Sequence, residues 1–142
     1  MYGLIIVASQ ALPNIVWALC PPEVNVLDSN VSTVAFIEYG EHIMGAAIVV
    51  LLLFLVSRGH EKTIPKNKFS TVSFAAIALY WLCWVLYFCA VQPLPVIYAM
   101  AALPPVAFFC AGVAEKVYPI SVVSAVFLTF HMAVALENFP IS

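Results

Sequence analysis

A chain of 142 residues that is 65% apolar and only 8% charged cannot clothe a soluble surface, which ordinarily needs about a quarter of its residues charged. A mean hydropathy of +1.08 equally excludes a disordered chain, and five Lys/Arg against seven Asp/Glu offer no basic face for nucleic acid. Composition leaves an all-α integral membrane protein: a polytopic helix bundle, one unit over residues 1–142, with the lipid bilayer as its surroundings.

A spanning helix takes roughly 20 mostly apolar residues at 1.5 Å rise each, and five stretches qualify. The first, about 2–19, is interrupted by Gln10, Pro13 and Asn14. It lacks the basic start of a signal peptide, so it is expected to stay as a helix, kinked where Pro13 removes a donor. A polar link with Pro21, Pro22, Glu23 and Asp28 leads to the second span, about 34–57, which holds Glu38, Glu41 and His42 in its first half. The loop 58–68 contains Arg58, Lys62, Lys66 and Lys68, four of the five positive charges. The third span, about 69–91, ends at Gln92-Pro93-Leu94-Pro95. The fourth, about 96–113, and the fifth, about 119–136, are separated by a short turn carrying Lys116.

Lys and Arg in short loops mark the cytoplasmic side. The 58–68 loop and the Lys116 turn lie two spans apart and therefore on one side, which predicts N-terminus inside, C-terminus outside, in a multi-pass protein of the cell (plasma) membrane. Cys20, Cys83, Cys89 and Cys110 form no Cys-x-x-Cys pair and read as small apolar residues.

Ionisable groups inside a membrane are expensive, so each is a candidate for function. Glu38, Glu41 and His42 stand at i, i+3 and i+4, on one helical face. Gly45 continues that face and admits a close neighbour. On the fifth span Ser121, Ser124, Leu128, His131 and Ala135 form a comparable stripe, small and polar except for Leu128. His42 is sixteen residues from Arg58, about 24 Å, and His131 thirteen from Tyr118, about 20 Å. The two histidines thus have matched depth in the outer half of the bilayer. The four residues are expected to share one polar, inward-facing region, serving either as a structural cluster or as a ligand site.

Pro104 and Pro105, mid-way along the fourth span, remove two ladder hydrogen bonds and free the carbonyls of Met100 and Ala101. A packing kink and a broken helix lined for a ligand are both open readings. Trp81 and Trp84 lie deeper than an interfacial aromatic belt. They either pack against neighbours or line an apolar pocket.

Two resemblances arise. Leu12-Pro13-Asn14-Ile15, Cys20-Pro21-Pro22 and Ile37-Glu38-Tyr39-Gly40 together resemble uncharacterised small bacterial membrane proteins, which implies no activity. Pro21-Pro22, Tyr39 and Met44-Gly45 resemble in outline the second-helix region of the translocator-protein (tryptophan-rich sensory) family. That family has five helices in about this length and binds porphyrins and sterols. Its Trp-x-Pro-x-Phe motif is absent here, so no residue role is carried over.

The expected function is that of a small non-enzymatic membrane protein that binds a small-molecule ligand or a partner membrane subunit, or serves in a transport assembly. Its expected site draws on Glu38, Glu41, His42, His131, Trp81, Trp84, Pro104 and Pro105, without a cofactor. The alternative is a membrane redox subunit in which His42 and His131 are the axial ligands of a b-type haem or bind a metal.

Overall fold

Five α-helices account for the bulk of the chain in a computed structural model that describes residues 2–56 and 64–141. They are α1 (Tyr2–Leu19), α2 (Ala35–Leu51), α3 (Lys68–Phe88), α4 (Leu94–Ala114) and α5 (Tyr118–Asn138). A π-helical turn, Leu52–Val56, prolongs α2, and a 3-10 turn, Val26–Ser29, sits in the α1–α2 link. All five helices are long and apolar enough to cross a membrane. Arg58, His60 and Lys62 of the basic loop, and the expected end of the second span at Ser57, lie outside the described residues.

α2, α5, α4 and α3 lie side by side in that order, and α1 packs across α3, α4 and the π turn. Short links make α3, α4 and α5 successively antiparallel. α2 is antiparallel to α5, because Ser32 and Thr33 just before it meet Glu137 near the end of α5. The bundle therefore has an upper end, built from 20–34, 89–93 and 139–141, and a lower end at 64–67 and 115–117. Half of α4 is buried against 11% of the second span, so α4 is the centre and α2 the periphery. The outward faces carry large apolar side chains, including Phe36, Ile43 and Val50 of α2 and Leu79, Leu82 and Val85 of α3.

The helix ends differ from the sequence expectations for local reasons. The third helix stops at Phe88 rather than near residue 91. There the N–H of Ala90 reaches the Tyr87 carbonyl at 3.0 Å and that of Val91 reaches Leu86 at 2.9 Å. These are the paired bonds of a Schellman cap, with Ala90 held at φ 61°. Lys116, at φ 59°, closes α4 in the same way: its N–H meets Val113 and that of Val117 meets Gly112. α4 and α5 begin earlier than expected because Pro95 and Pro119 fall in their first turns, where a missing N–H costs nothing. α4 also runs unbroken through Pro104 and Pro105, where a break was one of the open readings. Proline fixes φ near the helical value, so the two residues remove donors without forcing the chain out of the helix.

Small residues set the helix spacings. A Cβ on Gly112 would stand 2.6 Å from Ser121 Oγ and 2.9 Å from the Ser121 backbone nitrogen. The α4–α5 turn therefore closes backbone on backbone. On the other side of α5, Gly40 faces the Phe130 ring and Gly45 the Phe127 ring. Asn67 caps α3, accepting from the N–H groups of Phe69 and Ser70, and donates across to the Ala114 carbonyl at 3.1 Å.

Because the nearest obstacle at Gly112 includes backbone, Gly112→Ala should cost about 1–3 kcal/mol. Thermal unfolding of the detergent-solubilised variant should show a clear drop in midpoint. An unchanged midpoint would contradict the close α4–α5 packing.

Candidate functional site

Polar side chains in the interior gather where α1, α3, α4 and α5 meet. In the middle of α1, Gln10 and Asn14 lie one turn apart on one face. Asn14 Nδ2 donates to the Gln10 carbonyl and to Tyr80 Oη of α3, both at 2.8 Å. Gln10 itself is 4% exposed, and neither its Nε2 nor its Oε1 has a partner. Two cavities adjoin there, sharing Asn14, Tyr80 and His131 in their walls. The upper one, about 210 Å³, is also lined by Trp17, Trp84, Asn30, Met100 and Ala101. The lower, about 240 Å³, is lined by Gln10, Gly45, Pro104 and Phe127 among others.

The upper cavity carries its own unpartnered atoms. Trp84 is 4% exposed, and its Nε1 donor lacks an acceptor, as Asn30 Oδ1 lacks a donor. Most buried polar groups in proteins are satisfied, because an unmet one costs about 1–3 kcal/mol. Met100 and Ala101, whose carbonyls lose their helical donors to Pro104 and Pro105, are both buried in this wall. Among the described residues no side-chain donor reaches either carbonyl. Aromatic rings close the cavity: Trp84 stands 6.1 Å from Tyr80 and 6.4 Å from Trp17, centroid to centroid.

His131 of α5 faces both cavities. Its ring stacks on Phe127 at 5.0 Å, and its Nδ1 is hydrogen-bonded to Glu41 Oε1 of α2. Both side chains are largely buried, 24% and 16% exposed. Among the described residues the His131 Nε2, on the ring's other edge, makes no hydrogen bond. Of the charged candidates from the sequence, the structure thus brings together Glu41 and His131. It does not bring His42 to them. His42, one residue beyond Glu41 and so about 100° further round the helix, is 69% exposed. Its Nδ1 donates to the Glu38 carbonyl of its own helix at 2.8 Å. Glu38 accepts the Ser32 N–H of the link through Oε2 at 2.7 Å, and its Oε1 stands 3.6 Å from His42 Nδ1. Among the described residues no three His, Cys, Asp or Glu side chains converge as a metal would need.

Trp81 and Trp84 both line an outward apolar groove between α1 and α3, with Leu12, Pro13 and Phe88, and the buried Trp84 also lines the upper cavity. Trp81 Nε1 donates at 2.7 Å to the Ser9 carbonyl, the one that Pro13 deprives of its i+4 donor. Pro104 lines the lower cavity, and Pro105 is fully buried in packing.

Gln10, Asn14, Asn30, Trp17 and Tyr80 are the site residues that sequence reasoning passed over. The signal for Gln10 and Asn14 was present: two amides at i and i+4 in an apolar span belong on one protected face. Asn30 had no such signal, because only the folded link brings it over the cavity. Trp17 Nε1 and Tyr87 Oη both donate to Asn25 Oδ1 at 2.8 Å, and Tyr87 Oη accepts from the Leu27 N–H. These bonds hold the link down as a roof.

Trp81→Phe leaves the Ser9 carbonyl unmet and should lower stability by about 1–2 kcal/mol. Pro13→Ala restores the backbone donor, so the double variant should recover most of that loss. Additive losses in this double-mutant cycle would show that Trp81 does not serve the Ser9 carbonyl.

Comparisons with protein-family models, with curated proteins and with solved structures give no match to this chain.

Proposed function

We propose that this chain is a non-enzymatic, multi-pass protein of the cell membrane that binds a small hydrogen-bonding molecule inside its bundle, as a receptor or as a subunit of a transport assembly. The membrane reading is supported by five helices of spanning length and composition and by their large apolar outward side chains. Orientation rests on charge. All five Lys/Arg belong to the lower end or the loop leading to it, which puts that end and the N-terminus in the cytoplasm. The upper end and the C-terminus are then outside.

The observation that carries the binding reading is the buried, wholly unpartnered amide of Gln10 in the wall of a cavity. Such a group is destabilising on its own, and a ligand that pairs with it offsets the cost. Trp84 Nε1, Asn30 Oδ1 and the outer edge of His131 add further pairing positions in the adjoining upper cavity, which shares Asn14, Tyr80 and His131 with the lower one. The alternative haem reading has less support, since His42 is exposed and bonded back to its own helix. A visible spectrum with a Soret band would restore it.

Orientation is tested by cysteine labelling in intact cells, in a chain whose exposed Cys20 and Cys89 are replaced by serine. An impermeant maleimide should label a cysteine placed at Asp28 and spare one at Lys66; the reverse pattern overturns the topology. Binding is tested with Gln10→Leu. Native mass spectrometry of the protein released from nanodiscs should show a small-molecule adduct on the wild type and none on the variant. The variant should unfold about 1–2 kcal/mol later, because an unmet buried amide is gone. No adduct on either protein, with a less stable variant, would make the amide structural and end the binding reading.

A further inference from the structure

We infer that the molecule the upper cavity takes is a small organic ammonium cation with an aromatic or apolar body, an inference that rests on the cavity being a binding site. Four features of the molecule select this class. The first is the sign of charge. No Lys or Arg lines either cavity, and the one carboxylate bonded to a lining side chain is Glu41, through His131. The second is the approach. Glu23, Asp28, Glu38, Glu41 and Glu137 all belong to the upper half of the bundle, and among the described residues no Lys or Arg does. Leu27 and Asn30 of that acidic link form part of the cavity wall, so the field at the mouth draws cations and repels anions.

The third feature is the wall itself. Trp17, Tyr80 and Trp84 present rings around the space, and ring faces attract a cation most strongly where water is excluded. The fourth is a surplus of acceptors. Asn30 Oδ1 is buried and unpaired, and the carbonyls of Met100 and Ala101 lack their helical donors. An ammonium group supplies three N–H donors and accepts nothing. Trp84 Nε1, a donor, serves a polar substituent on the ligand's body. A hydrocarbon would leave these groups unmet, and a carboxylate would add acceptors where acceptors are in surplus and a charge of the same sign as Glu41, one side chain away. The volume of about 210 Å³ compares with about 150 Å³ for a cavity that holds benzene. It suits one ring with a short charged arm.

Three probes of nearly equal shape test the inference on the full chain in lipid nanodiscs: 2-phenylethylammonium, 2-phenylethanol and 3-phenylpropionate. Quenching of tryptophan fluorescence reports occupancy, because Trp17 and Trp84 line the cavity, and empty nanodiscs correct for partition into lipid. The ammonium should bind more tightly than the alcohol by about tenfold or more, and the carboxylate should bind least. Glu41→Gln should reduce the ammonium's affinity by about fivefold or more and leave the alcohol's unchanged. If the alcohol or the carboxylate binds as well as the ammonium, the cation inference falls while the binding reading stands. If none of the three binds, the cation inference falls, and the binding reading is decided separately by the wild-type adduct and its loss in Gln10→Leu. Should Glu41→Gln fail to fold, the order of the three probes on the wild type decides the matter alone.

Discussion

The burial of α4, which has buried side chains from Ile97 to Ala114, is the constraint on which the rest of this bundle depends. A helix that is apolar all round has no face of its own to present to the core, so its neighbours fix its rotation. Three side chains do this by reaching its backbone. Ser73 donates to the Ala107 carbonyl at 2.8 Å, Ser121 to Phe109 at 3.0 Å and Asn67 to Ala114 at 3.1 Å. Between apolar helices each such bond contributes only about 0.6 kcal/mol on average. Their effect is more on registry than on stability, since they come from α3, from α5 and from the cap of α3. With Gly112 admitting the start of α5 at backbone distance, the rotation leaves Met100, Ala101 and Pro104 facing cavities rather than the outside.

Proline chemistry then separates two surfaces that share α1 and α3. Each proline inside a helix removes one donor and orphans the carbonyl four residues earlier. At Pro13 the orphan is answered: the Trp81 indole takes the Ser9 carbonyl, and the groove beside it is wholly apolar in its lining. At Pro104 and Pro105 no side-chain donor comes among the described residues, and Met100 and Ala101, whose carbonyls lose their donors, line the upper cavity. The same defect gives a closed packing contact in one helix and an open pairing position in another. What differs is whether a donor on the neighbouring helix is within reach.

The link between α1 and α2 ties the site to the surface. Its hydrogen bonds to Trp17, Tyr87 and Gln92 hold Leu27 and Asn30 over the upper cavity. Ser32 and Thr33, further along the same link, bond to Glu38 and Glu137. The acidic residues of the upper end are thereby spent on fixing the roof as well as on giving it a negative field. Glu41 is the one that turns inward, because Gly40 and Gly45 let α2 approach Phe130 and Phe127 of α5 and bring its carboxylate to His131.

The sequence by itself determined the five helices. Five apolar stretches of spanning length can bury their backbone polar groups only as helices in a bilayer, and the bounds moved only where caps and first-turn prolines set them. Charge placement marked the two ends, and the expense of intramembrane charge marked Glu41 and His131. Tertiary structure alone decided which of the candidates meet. Glu38, Glu41 and His42 share a stripe on paper, yet a helix face is about 100° wide or more, and the rotation of α2 against α5 sends one inward, one to the link and one outside. It also decided that Asn14 of α1, Tyr80 of α3 and His131 of α5 stand in the walls of both cavities, with Gln10 in the lower one and Met100 and Ala101 of α4 in the upper. Periodicity fixes faces within a helix, but only packing fixes which faces look at each other.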